Sequence, residues 1–115
     1  MHELSIALSL LETAEEQSRQ RGGVRISAIH LRVGPLSGVM ADALAGAFEM
    51  ATERSEFAGC RLVITETPLV INCPTCKAER EVESIQKMCC NVCGTATADV
   101  ASGRELEVFA MEIDE

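Results

Sequence analysis

Residues 73–94 read CPTCKAEREVESIQKMCCNVCG and hold five of the six cysteines in a chain of 115 residues. Cys73 and Cys76 form one Cys-x2-Cys pair and Cys90 and Cys93 a second, with thirteen residues between the pairs. Each pair can close a tight turn that aims two sulfurs at one ion, and two such turns supply the four thiolates of a tetrahedral site. Thiolate softness favours zinc or iron over magnesium or calcium, and zinc is the expected metal. Four protein ligands leave no open coordination position, so the site reads as structural rather than catalytic. Pro74 stiffens the first turn, and Gly94 suits a backbone turn of positive φ after the second. A redox dithiol is the competing reading; the strand-to-helix setting it needs is missing, and two matched pairs exceed its requirements.

Two cysteines fall outside this set. Cys89 can substitute for Cys90, but only Cys90 keeps the two-residue gap to Cys93. Cys60 reads as a small buried hydrophobe at the entrance to a strand.

Outward from the cysteines, the chain is mixed α and β. Leu4, Ala7, Leu8, Leu11 and Ala14 recur at helical spacing within residues 3–20, and Gly22-Gly23 ends that segment. Over 24–33, Ile29, Leu31 and Val33 alternate with His30 and Arg32 as in a half-buried strand, which Gly34-Pro35 stops. A second amphipathic helix is expected over 39–54, with Met40, Leu44, Ala47, Phe48 and Ala51 on one face. RLVITETPLVI, residues 61–71, reads as a strand in which Pro68 marks an edge, bulge or bend, and RELEVFAMEI, 104–113, as the last strand. The fold class is α+β: a small three-stranded sheet with two helices on one face. A four-cysteine zinc module is inserted between the last two strands, which pair and clamp its base. The expected domains are residues 1–72 with 95–115, and the module 73–94.

Composition narrows the function. The net charge of −8 opposes sequence-independent binding to phosphate backbones. Tyrosine and tryptophan are absent and there are three phenylalanines, so base-stacking platforms are scarce. No apolar run approaches the length of a membrane span, and the acidic first helix is unlike a secretory signal. Neither a nucleic-acid nor a membrane partner is expected, and the cysteine usage suits a reducing cytoplasm. There is no catalytic triad, no phosphate-binding glycine loop and no open metal site, so the chain does not read as an enzyme.

The first residues, Met1-His2-Glu3, offer a different chemistry. The α-amine, the His2 amide nitrogen and the His2 imidazole lie within one dipeptide and together close two fused chelate rings. Such donors suit nickel(II) or copper(II) in planar or tetragonal geometry, with Glu3 able to supply a further donor. The first N–H groups of a helix have no intrahelical partner, so coordination there breaks no helix bond. His30, on the strand face opposite Ile29 and Leu31, reads as structural.

MHELSI at the start, LRVGPLSGV at 31–39, AFE at 47–49 and the late double Cys-x2-Cys module come in one order over essentially the whole chain. Together they resemble the HypA/HybF hydrogenase nickel incorporation proteins. The resemblance implies a nickel metallochaperone with a structural Zn2+ and a transported Ni2+. Met1, His2 and Glu3 would take nickel, and Cys73, Cys76, Cys90 and Cys93 would hold zinc. It further implies delivery with the nickel GTPase HypB to the large subunit of [NiFe]-hydrogenase, and in some relatives to urease maturation. The chain departs from many relatives at helix two, where Met40 occupies a position that often carries a carboxylate and Asp42 is the nearest acid. No histidine flanks either cysteine pair. A zinc-ribbon interaction adaptor without nickel cargo is the alternative that the cysteines alone allow.

Overall fold

The computed structural model describes residues 3–114. In chain order the elements are α1 (Glu3–Gln20), β1 (Arg25–Val33), α2 (Ala41–Glu53), β2 (Arg61–Glu66), β3 (Leu69–Cys73), β4 (Ala78–Val82), β5 (Val100–Ser102) and β6 (Leu106–Asp114). They form two three-stranded sheets, ordered β2-β1-β6 and β4-β3-β5. The chain divides into two compact units. The first comprises residues up to Leu31, Val39–Thr65 and the stretch from Glu107; the second comprises Arg32–Gly38 and Glu66–Leu106.

In the first unit α1 packs against α2. The buried face of α1 is Ile6, Ala7, Leu10, Leu11 and Ala14. Leu4 and Leu8, expected inside, are each 48% exposed. The stripe 6/10 and the stripe 4/8 share Ala7, Leu11 and Ala14, and the helix turns the former inward. Gly23 N–H donates to the Ser18 carbonyl at 2.8 Å and closes the helix. In α2 the buried ridge is Leu44, Phe48 and Thr52, and the Thr52 hydroxyl is satisfied by the Glu49 carbonyl at 3.1 Å. Met40 is not on that ridge. It is the N-cap, in extended backbone (φ −92°, ψ 121°), and lies 71% exposed. Its carbonyl still accepts from Leu44 N–H at 3.0 Å, so it begins the helix without sharing its buried face.

β1 is the central strand of the first sheet. Ile29, Leu31 and Val33 are buried while His30 and Arg32 are half-buried, as the alternation requires. Cys60, immediately before β2, is buried as expected. The expected pairing of the last two strands across the base of the cysteine module is not what forms, because β1 separates β2 from β6.

The expected single strand over 61–71 is two strands in different sheets. Pro68 has no N–H to give to a ladder, so pairing stops there; Thr67 N–H is the last donor, to the Val33 carbonyl at 3.0 Å. β3 then opens the second sheet. It pairs antiparallel with β4, with Cys73 opposite Ala78 and Leu69 opposite Val82, and antiparallel with β5, with an irregularity between Val70 and Ile71. Neither β4, which lies inside the cysteine segment, nor β5 was expected. The core of this unit is small: Leu69, Ile71 and Val82, with Leu36, Met88 and Val100 partly buried around them.

The GPLSG turn belongs to this second unit and is held by backbone contact. Gly34 N–H donates to the Glu105 carbonyl and Leu36 N–H to the Gly103 carbonyl, both at 2.7 Å. The Glu105 carboxylate in turn accepts Gly103 N–H at 2.6 Å, a bond that lowers its pKa from the usual carboxylate value. A Cβ on Gly34 would stand 2.2 Å from the Gly103 oxygen and 2.3 Å from its carbonyl carbon. Both are main-chain atoms fixed by these bonds and cannot swing aside. Gly34→Ala is therefore expected to destabilise the chain by about 3 kcal/mol, at the upper end of overpacking costs. A urea unfolding midpoint equal to that of the wild type would refute this.

Candidate metal centre

Cys73 ends β3, and the antiparallel register that sets it opposite Ala78 makes residues 74–77 the hairpin turn. The second pair is closed by a β-bridge between Cys89 and Ala96 and by a Cys90 N–H bond to the Thr95 carbonyl at 2.8 Å. Both turns end in left-handed backbone, at Lys77 (φ 53°) and Gly94 (φ 78°). Within each turn, backbone N–H groups face the first sulfur. Cys76 N–H points at Cys73 Sγ at 3.4 Å, while Val92 and Cys93 N–H point at Cys90 Sγ at 3.4 and 3.5 Å. The Thr75 and Thr95 hydroxyls join the two turns at 2.9 Å.

The four sulfurs of Cys73, Cys76, Cys90 and Cys93 all lie within 4.8 Å of one another. Cys73 Sγ is 3.5 Å from Cys93 Sγ, and Cys76 Sγ is 3.8 Å from Cys90 Sγ. A tetrahedral zinc with Zn–S bonds of about 2.3 Å requires sulfurs roughly 3.8 Å apart, so the cluster fits that ion. Cys89 is not a member: Cys90 faces the other sulfurs, and the neighbouring thiol does not. Among the described residues this is the one group of three or more His, Cys, Asp or Glu side chains placed to share a metal ion.

The Cys93 N–H, followed by that of Val92, pulls the Cys90 pKa down to about 6, while hydrogen bonding with Cys93 and then burial push Cys76 up to about 11. The Thr95 hydroxyl and N–H lower Cys93. Hydrogen-bond donors thus favour the thiolate at Cys90 and Cys93. A divalent ion held by Cys73, Cys76, Cys90 and Cys93 would take all four as thiolates, the form that metal binding demands.

The other proposed ligands are at the opposite end of the chain. Met1 and His2 lie outside the described residues. Glu3 is the first residue of α1, half-buried, with its carboxylate in the turn where a helix favours negative charge. Asp42 is exposed in the first turn of α2. His30 has a structural role: its Nε2 is 2.7 Å from Glu112, its ring meets Phe109 edge-on at 5.8 Å, and Arg61 reaches the same carboxylate at 3.4 Å. The His30 bond is the main cause of the lowered Glu112 pKa. No described helix is long and apolar enough to cross a membrane.

The family model described as hydrogenase/urease nickel incorporation, metallochaperone, hypA matches residues 1–113. The hydrogenase maturation factor HypA of Chloroflexus aurantiacus is 43% identical over 112 residues, 97% of this chain and 98% of that protein. Its counterpart from Roseiflexus sp. is 41% identical over 115 residues, covering 100% of this chain and 94% of the relative. In fold, the chain is similar to the solution structure of the Ni metallochaperone HypA from Helicobacter pylori. There the TM-score is 0.64 at 22% identity, with 98% of this chain and 97% of that chain covered. A second solution structure, of a HypA protein, gives a TM-score of 0.70 at 22% identity over 98% and 96% of the two chains.

Proposed function

The chain belongs to the HypA family of hydrogenase/urease nickel incorporation metallochaperones, and on that premise we propose how it handles its two metals. Nickel(II) is cargo, taken by the Met1 amine, the His2 amide and imidazole, and Glu3. Zinc is resident, held by Cys73, Cys76, Cys90 and Cys93. The protein is a carrier rather than an enzyme. It works in the cytoplasm, where thiols stay reduced, and passes nickel with the GTPase HypB to the large subunit of [NiFe]-hydrogenase.

The observation that carries this reading is the span of the family match. One model runs from residue 1 to residue 113 and so takes in both the Met-His-Glu start and the whole cysteine cluster. The chemistry of the two ends supports a division of labour. Four thiolates around zinc leave no exchangeable position, which suits a permanent fastener. An amine–amide–imidazole set can be protonated to release its ion, which suits a cargo site.

A host lacking this chain is expected to accumulate hydrogenase large subunit without nickel, and the wild-type gene is expected to restore nickel content and activity. Restoration by a His2→Ala gene would contradict the cargo site. Normal nickel content in the host lacking the chain would instead favour the zinc-ribbon adaptor.

A further inference from the structure

The strand β4 reads Ala-Glu-Arg-Glu-Val, and its exposure alternates: Glu79 and Glu81 are exposed, whereas Ala78 and Arg80 are half-buried and Val82 is buried. An arginine therefore sits on the inward face of a strand whose neighbours there are apolar, directly opposite the fully buried Ile71. Its Nε is shut off from solvent and has no hydrogen-bond partner. A guanidinium in such a place costs stability unless an anion faces it. No carboxylate does so within the strand, since Glu79 and Glu81 point outward and Glu79 offers only its carbonyl, 3.3 Å from Nη1. That inward face carries sulfur: Cys73 shares it with Ile71, and Cys73 Sγ is 3.5 Å from Cys93 Sγ, while the Asn91 amide, donating to the Glu81 carbonyl at 3.2 Å, holds the second cysteine turn against β4.

The donors around the four sulfurs give this placement its meaning. Cys73 and Cys90 receive backbone N–H groups, and Cys93 has the Thr95 hydroxyl at 3.1 Å. Cys76 has the Cys90 sulfur at 3.8 Å, and Arg80 is the cation on that side of the sheet. Four thiolates around a divalent ion also keep a net negative charge in a half-buried setting, which neutral N–H groups soften but do not balance.

We propose that Arg80 is the built-in counter-charge of the metal–tetrathiolate centre, donating to the Cys76 and Cys90 sulfurs, drawing electron density from them and shielding them from electrophiles and competing chelators. This rests on the reading of the four cysteines as a metal site. Charge-assisted hydrogen bonds are the strong ones, and a guanidinium can serve two sulfurs at once because its donors are fixed in one plane.

The test uses the full chain loaded with cobalt(II), whose spectra report the sulfurs directly. Arg80→Met is expected to move the sulfur-to-cobalt charge-transfer band to lower energy, because the sulfur lone pairs lose a stabilising donor. The visible bands of a tetrahedral four-sulfur site should stay in place. Arg80→Lys, which keeps the charge, should recover part of the shift. On the zinc form, N-ethylmaleimide should release metal roughly tenfold faster from Arg80→Met than from wild type, the scale of one lost hydrogen bond to a charged group. If Arg80→Met takes up no cobalt while Arg80→Lys does, charge is again the cause and the proposal stands. If neither takes it up, Arg80 acts by shape and the proposal falls. Unmoved charge-transfer bands and unchanged zinc release in Arg80→Met overturn the assignment alone. A wild-type chain that lacks tetrahedral four-sulfur bands overturns the metal site itself, and the assignment with it.

Discussion

Cys90→Ser is expected to empty the zinc site and unfold most of residues 66–106, while the helical unit keeps its structure. The second unit has little else to hold it. Its apolar core is Leu69, Ile71 and Val82 with three partly buried neighbours, and each buried aliphatic side chain contributes roughly 1.5–3 kcal/mol. Structural zinc supplies an apparent 10–16 kcal/mol or so in small peptides, about as much as that whole apolar core. Cys90 is the most consequential of the four ligands, because two backbone N–H groups converge on its sulfur. Amide spectra should show Leu69–Val82 and Val100–Ser102 collapsing towards random-coil positions while α1 and α2 stay dispersed, and zinc content should fall to near zero. Cys89→Ser should do neither, since that sulfur is outside the cluster. A zinc-free Cys90→Ser chain with a fully dispersed spectrum would mean that the unit folds without its metal.

His2→Ala is expected to weaken nickel binding by more than the roughly 10–100-fold that a lost outer-shell partner costs, because it removes the imidazole and one of the two fused chelate rings. Zinc content and the unfolding midpoint should not change, since His2 supplies none of the four cysteine sulfurs grouped for zinc. His30→Gln makes the contrasting case. It removes the 2.7 Å bond to Glu112 and so touches the sheet, but leaves the proposed nickel donors in place. Calorimetric titration of nickel into the three zinc-loaded proteins decides the matter: equal affinity in wild type and His2→Ala would remove the terminal site from the account.

Much of this was written in short-range patterns. The ligand set of the cysteine centre follows from two-residue gaps, and those gaps also separate Cys90 from Cys89. Where longer-range packing decides, the sequence is ambiguous. Within α1 the stripes through Leu4 and Leu8 and through Ile6 and Leu10 share three residues, and periodicity does not choose between them. Met40 extends the Leu44–Phe48 spacing perfectly, yet falls one residue before the first helical turn. Pro68 marked a break, but not that the strands on either side of it join different sheets. Strand β4 was hidden because its segment is charged and was read through its cysteines. The alternation Glu79-Arg80-Glu81-Val82 was there to be read, and it would have turned Arg80 inward. Gly34 and Gly103 lie far apart in the chain, so no local pattern could have shown that their backbones touch.

The central claim is one cargo ion at the start of the chain and one fixed ion at the cysteines. Its most direct test is to dialyse zinc-loaded protein with its native first residue against limiting nickel and count both metals per chain by mass spectrometry, beside a variant carrying one extra residue before Met1. The account predicts about one nickel and one zinc in the native chain, and zinc alone in the extended one, whose amine no longer adjoins His2 at chelating distance. Equal nickel in both chains, or nickel in neither, would contradict it.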